Sequence, residues 1–208
     1  MALSLPSFAE LRANYPVMNH DALMSSIGGG VSGSYILNGC VVRMSKAFNY
    51  LGASADAYKQ APIPSWKQNT GVVDFATETK KMIDRANTHR IPEKHNFIEK
   101  FTTTYGLDKK RYCYRVNEFF NYLNHKYKKP DLKVERVHLQ QMISQENINK
   151  FIKSITDQTG IICFKTKFGN DAPGTAASGH FTLWDGRRCL YHDYFLDPRT
   201  SAIYLWKC

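Results

Sequence analysis

The chain has 208 residues, enough for one domain with a sizeable core, and its 43% hydrophobic content is that of a globular protein. Twenty-eight basic against eighteen acidic residues give a formal charge of +10, which predicts attraction to polyanions without choosing among nucleic acid, anionic membrane and acidic wall polymer. No run of apolar residues is long enough for a transmembrane helix, and Met1 to Pro16 has neither the basic nor the apolar region of a signal peptide. Membrane insertion is therefore not expected, and any export is expected to proceed without a cleavable signal.

Ser7 is placed to cap a short helix with Phe8, Leu11 and Tyr15 on one face. Ser25 to Ser34 reads as a Gly/Ser loop. Its Gly28-Gly29-Gly30 run suits either a plain turn or a backbone that comes close to a ligand, and it lies just before the most informative stretch. The lysine of a phosphate-binding loop is missing. Asn38-Gly39 then marks a turn, and Cys40, Met44, Ala47, Phe48 and Leu51 recur with helical spacing, with Gly52 as the stop. Cys40 falls in the first turn of that helix. The partial positive charge and free N–H groups there favour a thiolate and can receive an oxyanion, whereas a cysteine that is only structural would be a small buried apolar group.

Ala53 to Gly71 reads as loop, Asp74 to Ala86 as a surface helix, and Phe97 to Tyr105 as a second helix. Val116, Phe119, Phe120, Leu123 and Tyr127 form a helical stripe that ends before Pro130. Ser144 caps another helix with Ile148, Phe151, Ile152 and Ile155 inward. The pattern then turns to strands: Ile161 to Lys165 as a central strand, Gly179 to Trp184 and Arg188 to Phe195 as a hairpin about Asp185-Gly186, and Ile203 to Trp206 as the last strand. With a two-residue turn, Trp184 faces Arg187, Thr182 faces Cys189 and His180 faces Tyr191, which leaves Asp193 diagonal to His180 on the same face. Cys40, His180 and Asp193 thus follow the order of a papain-like cysteine hydrolase. The five cysteines show no zinc-site spacing, so neither metal nor cofactor is expected; Cys189 and Cys208 are near enough in sequence to pair in an oxidising compartment, which spacing does not decide.

Five blocks carry further information: Pro6-Ser7-Phe8, Ile27-Gly28-Gly29-Gly30-Val31, Asn38-Gly39-Cys40-Val41-Val42-Arg43-Met44-Ser45, Tyr114-Arg115-Val116-Asn117 through Lys129-Pro130-Asp131-Leu132, and Gly179-His180-Phe181-Thr182-Leu183-Trp184-Asp185-Gly186. In their wording the chain resembles the fourth family of type VI secretion amidase effectors, which are peptidoglycan amidases. The resemblance implies a single α+β domain of the papain-like NlpC/P60 type, with a small antiparallel sheet and helices packed on it. It implies Cys40 as nucleophile, with its own N–H an oxyanion donor, and His180 as general base. The substrate implied is bacterial peptidoglycan, cut between D-glutamate and meso-diaminopimelate. A cognate immunity protein, the type VI apparatus and action in the periplasm of target bacteria follow from the same likeness. Two departures stand out. The segment at about 71–108 looks longer than in the family, as an added helical element, and the position facing His180 is Tyr191, so that Asp193 is the nearest acid. Two other classes fit parts of the pattern: a cysteine hydrolase of another amide or protein, and a non-enzymatic basic protein that binds nucleic acid. The latter would leave Cys40 and His180 without a role, and the charge is not gathered into one basic run.

Overall fold

The structure is a computed structural model that describes residues 4–51, 103–138, 142–168 and 178–208. The loop expected at Ala53–Gly71, the helix at Asp74–Ala86 and most of the added segment lie outside the described residues. Five α-helices and two small antiparallel sheets make up the described chain, which is the expected α+β class.

Helix α1 (Phe8–Asn14) starts where the sequence predicts: Ser7 Oγ accepts from the Glu10 N–H at 3.3 Å, and Glu10 Oε2 accepts from the Ser7 N–H at 2.8 Å. A second helix, α2 (His20–Ile27), occupies a stretch read partly as loop; Asn19 caps it by accepting from Ala22 N–H at 2.8 Å. The Asn19 cap with Asp21 behind it was the local signal for this helix. The glycine run that follows is not among the residues lining the cleft between α3 (Cys40–Asn49) and β5 (His180–Trp184). A Cβ on Gly29 would stand 2.8 Å from the Tyr105 carbonyl, so the glycines let this loop lie against the turn between β1 (Thr103–Tyr105) and β2 (Arg111–Cys113). Residues 103–105, expected at the end of a helix, are therefore strand.

Helix α3 (Cys40–Asn49) is buried along its whole length. Cys40, Met44, Ala47 and Phe48 enter the main core, as their spacing predicts. The opposite side is polar and bonds to the backbone of β2. Ser45 Oγ donates to the Cys113 carbonyl at 3.1 Å and accepts the Cys113 N–H at 3.0 Å, while Asn49 Nδ2 donates to the Arg111 carbonyl at 2.8 Å. These bonds satisfy groups that burial would otherwise leave unpaired.

The larger sheet runs β3 (Leu132–Glu135), β6 (Thr200–Lys207), β4 (Gly160–Thr166), β5 (His180–Trp184), with every neighbouring pair antiparallel. Strand β4 is interior, as its apolar run predicts. Alternate residues serve two cores. Ile161, Cys163, Phe181, Leu183 and Trp206 pack with α1, α3 and α4 (Val116–Lys126), and Phe119 meets Phe181 edge-on at 5.1 Å. Ile162, Phe164, Trp184, Ile203 and Leu205 pack with α5 (Gln145–Ile155), which Ser144 caps.

The expected hairpin after β5 forms only in a short version and in another register. Asp185 N–H bonds the Arg188 carbonyl at 3.0 Å, and Trp184 bridges Cys189, so the loop has four residues instead of two. Asp185 Oδ1 stabilises it by accepting the N–H groups of Arg187 and Arg188 at 2.9 and 2.8 Å. Beyond Leu190 the ladder stops, and Tyr191 N–H donates to the Thr182 hydroxyl at 3.2 Å. Residues 191–194 form no strand, though the Tyr194 carbonyl accepts from the Thr200 hydroxyl of β6 at 2.9 Å.

Candidate active site

A cleft of about 430 Å³ opens where the first turn of α3 meets the start of β5. Cys40 and His180 both line it, so the structure brings the two residues singled out in the sequence to one place. Asn38 ties the two elements together. Its Oδ1 accepts the Cys40 N–H at 3.0 Å, and its Nδ2 donates to the Gly179 carbonyl at 3.5 Å. The Cys40 thiol lies 4.0 Å from that same carbonyl. The Cys40 N–H, expected as an oxyanion donor, is thus engaged by Asn38.

Burial dominates the thiol. Cys40 is 2% exposed, and desolvation pushes its pKa up to about 11 against the expected lowering. Groups that favour the thiolate are nevertheless present: first the Phe181 N–H of β5, then the Val41 and Cys40 N–H groups of the helix start and the Arg43 charge. They leave Cys40 the least raised of the five cysteines, all of which are free thiols; Cys163 and Cys208 are pushed to about 12, and Cys113 and Cys189 higher still. Iodoacetamide should therefore label Cys40 first, at a rate that climbs from pH 8 to pH 10. Peptide mapping after timed quenching would check this, and a plateau reached near pH 8 would contradict it.

His180 is 3% exposed and walled by aromatic side chains, with the Tyr194 ring centre 5.0 Å away and the Tyr191 ring stacked at 6.4 Å. Burial first, then the charges of His192 and Arg43, press its pKa down to about 3, while a hydrogen bond to the His192 backbone acts the other way. The imidazole is neutral at ordinary pH, and its Nε2 is buried with no hydrogen-bond partner. An unpaired buried nitrogen costs stability and is a recurrent mark of a functional group.

Asp193 is not brought to His180. It is exposed, does not line the cleft and forms no hydrogen bond or ion pair with a described residue. The end of the ladder after Leu190 explains this: in the observed register, with Trp184 facing Cys189, a continued second strand would have set Asp193 opposite His180. The His192 backbone holds the position beside the ring where an acid was expected. Asp197 does not replace Asp193, being bound to Arg199 at 2.6 Å.

Arg43 escaped the sequence reading as a site residue. It lies one turn after Cys40, 1% exposed, with Nη1 donating to the Pro16 carbonyl at 2.8 Å and the guanidinium 3.8 Å over the Tyr191 ring. Its spacing of three from Cys40 was the available signal.

Among solved structures, the chain is similar to the type VI effector Tae4 from Enterobacter cloacae, at 24% identity and a TM-score of 0.60, over 100% of this chain and 99% of that one. It is likewise similar to Tae4 from Salmonella typhimurium in complex with the immunity protein Tai4 from Enterobacter cloacae, at 25% identity and a TM-score of 0.58, over 98% and 99%. Comparison with curated proteins gives no match. The family model for the type VI secretion system (T6SS) amidase effector protein 4 matches residues 36–206, a span running from just before Cys40 to the end of β6. With the cysteine and histidine blocks both inside that span, the chain belongs to the type VI secretion amidase effector 4 family.

Proposed function

We propose that this protein is a cysteine amidase of the papain-like, NlpC/P60 type that hydrolyses stem-peptide amide bonds of bacterial peptidoglycan, between D-glutamate and meso-diaminopimelate. The observation that carries the reading is the meeting, in one cleft of an amidase-effector family member, of a thiol at a helix start and a neutral imidazole with an unpaired Nε2. His180 takes the thiol proton as Cys40 Sγ attacks the amide carbonyl carbon, and then delivers that proton to the leaving amine. Water next adds to the thioester, His180 takes its proton, and the acid product leaves as the thiol is restored. Thiolate and imidazolium form together, so each offsets part of the other's burial cost. The His192 backbone orients the ring. The chain acts in the periplasm of target bacteria after delivery by a type VI apparatus, and a cognate immunity protein, like the Tai4 bound to the Tae4 relatives, restrains it.

Purified sacculi treated with the protein should release peptides ending in D-glutamate, together with fragments that begin at diaminopimelate, read by mass spectrometry. Intact sacculi would refute the proposal. Directed to the periplasm with an added signal, the protein should lyse a Gram-negative host that tolerates it in the cytosol; equal toxicity from both compartments would move the target inside the cell.

The position of Asp193 gives a separate expectation. Asp193→Asn should keep kcat/KM within about threefold of wild type, as is usual for a surface change away from the machinery. Asp185→Asn should also cost little, since its amide oxygen can still accept from the loop. A loss of a hundredfold on Asp193→Asn, measured on one muropeptide, would mean that the carboxylate swings onto His180 during turnover.

A further inference from the structure

The lining of the cleft includes a buried cation, Arg43, with no anion beside it among the described residues. Arg43 is buried to 1% exposure, yet it forms an ion pair with no carboxylate among the described residues, and none of the residues lining the cleft is acidic. A guanidinium has five N–H donors. Here Nη1 has the Pro16 carbonyl, the face of the group has the Tyr191 ring, and Nε is buried with no hydrogen-bond partner. Burying a charge is costly unless it is paired, and a cleft meant for a neutral substrate gains nothing from such an arrangement. A carboxylate entering the cleft would supply what is missing, because its two oxygens match the planar fork of the guanidinium.

We propose that Arg43 sets the substrate class of this cleft by receiving a carboxylate that the substrate carries beside the scissile amide. The inference rests on the amidase reading and adds to it the residue that reads the free glutamyl carboxylate. A glutamyl residue has two carboxyl groups and uses one in the chain, so it keeps a free one next to the bond that is cut. Tyr191 holds the guanidinium from the other side, 3.8 Å from its ring centre, and is a positioning residue for Arg43. The same ring stacks toward His180, which sets the carboxylate site next to the reacting pair.

Two synthetic stem peptides test this, identical except that the free carboxylate of the glutamyl residue is a carboxamide in one. The wild-type protein should cleave the carboxylate peptide with a kcat/KM about 10- to 100-fold higher, the size of one charge-assisted hydrogen-bond set. Arg43→Gln should bring that ratio to within about threefold of one. Because Arg43 is buried and its loss could prevent folding, Tyr191→Leu at a half-buried position provides a second variant; it frees the guanidinium without removing it and should lower the ratio several-fold. A wild-type ratio near one overturns the inference and leaves the amidase reading standing. Failure to cleave either peptide overturns the amidase reading and the inference with it. A wild-type ratio that persists in folded Arg43→Gln, or is unchanged in Tyr191→Leu, overturns the assignment to Arg43.

Discussion

Replacing Cys40 by alanine should abolish sacculus digestion, with a loss of about a thousandfold or more in kcat, while the fold survives. The chemical part of this rests on the covalent step: no other thiol lines the cleft, and without one no thioester can form. The structural part follows from size. Cys40 sits at the first residue of α3, packed in the main core, with its thiol 4.0 Å from the Gly179 carbonyl, and loss of one sulfur atom there should cost about 1 kcal/mol. The bonds of Ser45 and Asn49 to β2 hold the helix independently. Cys113→Ala and Cys163→Ala are the controls, since both thiols are buried in the core away from the cleft. Muropeptide release by Cys40→Ala at the wild-type rate would sink the mechanism.

Replacing His180 by glutamine should lower kcat/KM by about 10²- to 10⁴-fold, the usual contribution of one acid–base group. The same change should alter the response of the fold to acid, in a direction set by linkage. The pKa of His180 is about 3 in the folded protein against an ordinary value of 6.5, so the unfolded chain binds a proton that the folded one refuses. Stability from this group is complete above pH 6.5 and is lost as the pH falls toward 3. Asp185, Asp197, Glu10 and Glu135 have lowered pKa values and lose their contributions only at more acidic pH, so the decline between pH 6.5 and 5 reports His180. Thermal melts at pH 7, 6 and 5 should show the wild-type Tm falling and the His180→Gln Tm nearly level. Parallel declines in the two proteins would show that His180 is protonated in the folded state well above pH 3.

The sequence by itself determined the elements whose side chains repeat with the period of their own backbone. The stripes of α3, α4 and α5 and the unbroken apolar run of β4 are local patterns, and each was buried on the face its spacing named. The positions of Cys40 and His180 were legible for the same reason, one at the turn that starts a helix and the other at the first residue of a strand. Pairing and burial were decided by the tertiary structure, because they depend on groups distant in the chain. Tyr191 leaves the ladder with its N–H on the Thr182 hydroxyl, and the end of the ladder separates Asp193 from His180. The Gly28-Gly29-Gly30 run suited either a plain turn or a backbone close to a ligand, and only the tertiary structure sets the β1–β2 turn against it. The helix start alone predicted a lowered thiol pKa at Cys40; desolvation under β5 outweighs it and raises the thiol instead. Arg43 carries no site signal of its own beyond its spacing from Cys40, and only the packing of α3 among α1, β2 and β5 takes it out of water and sets it at the cleft.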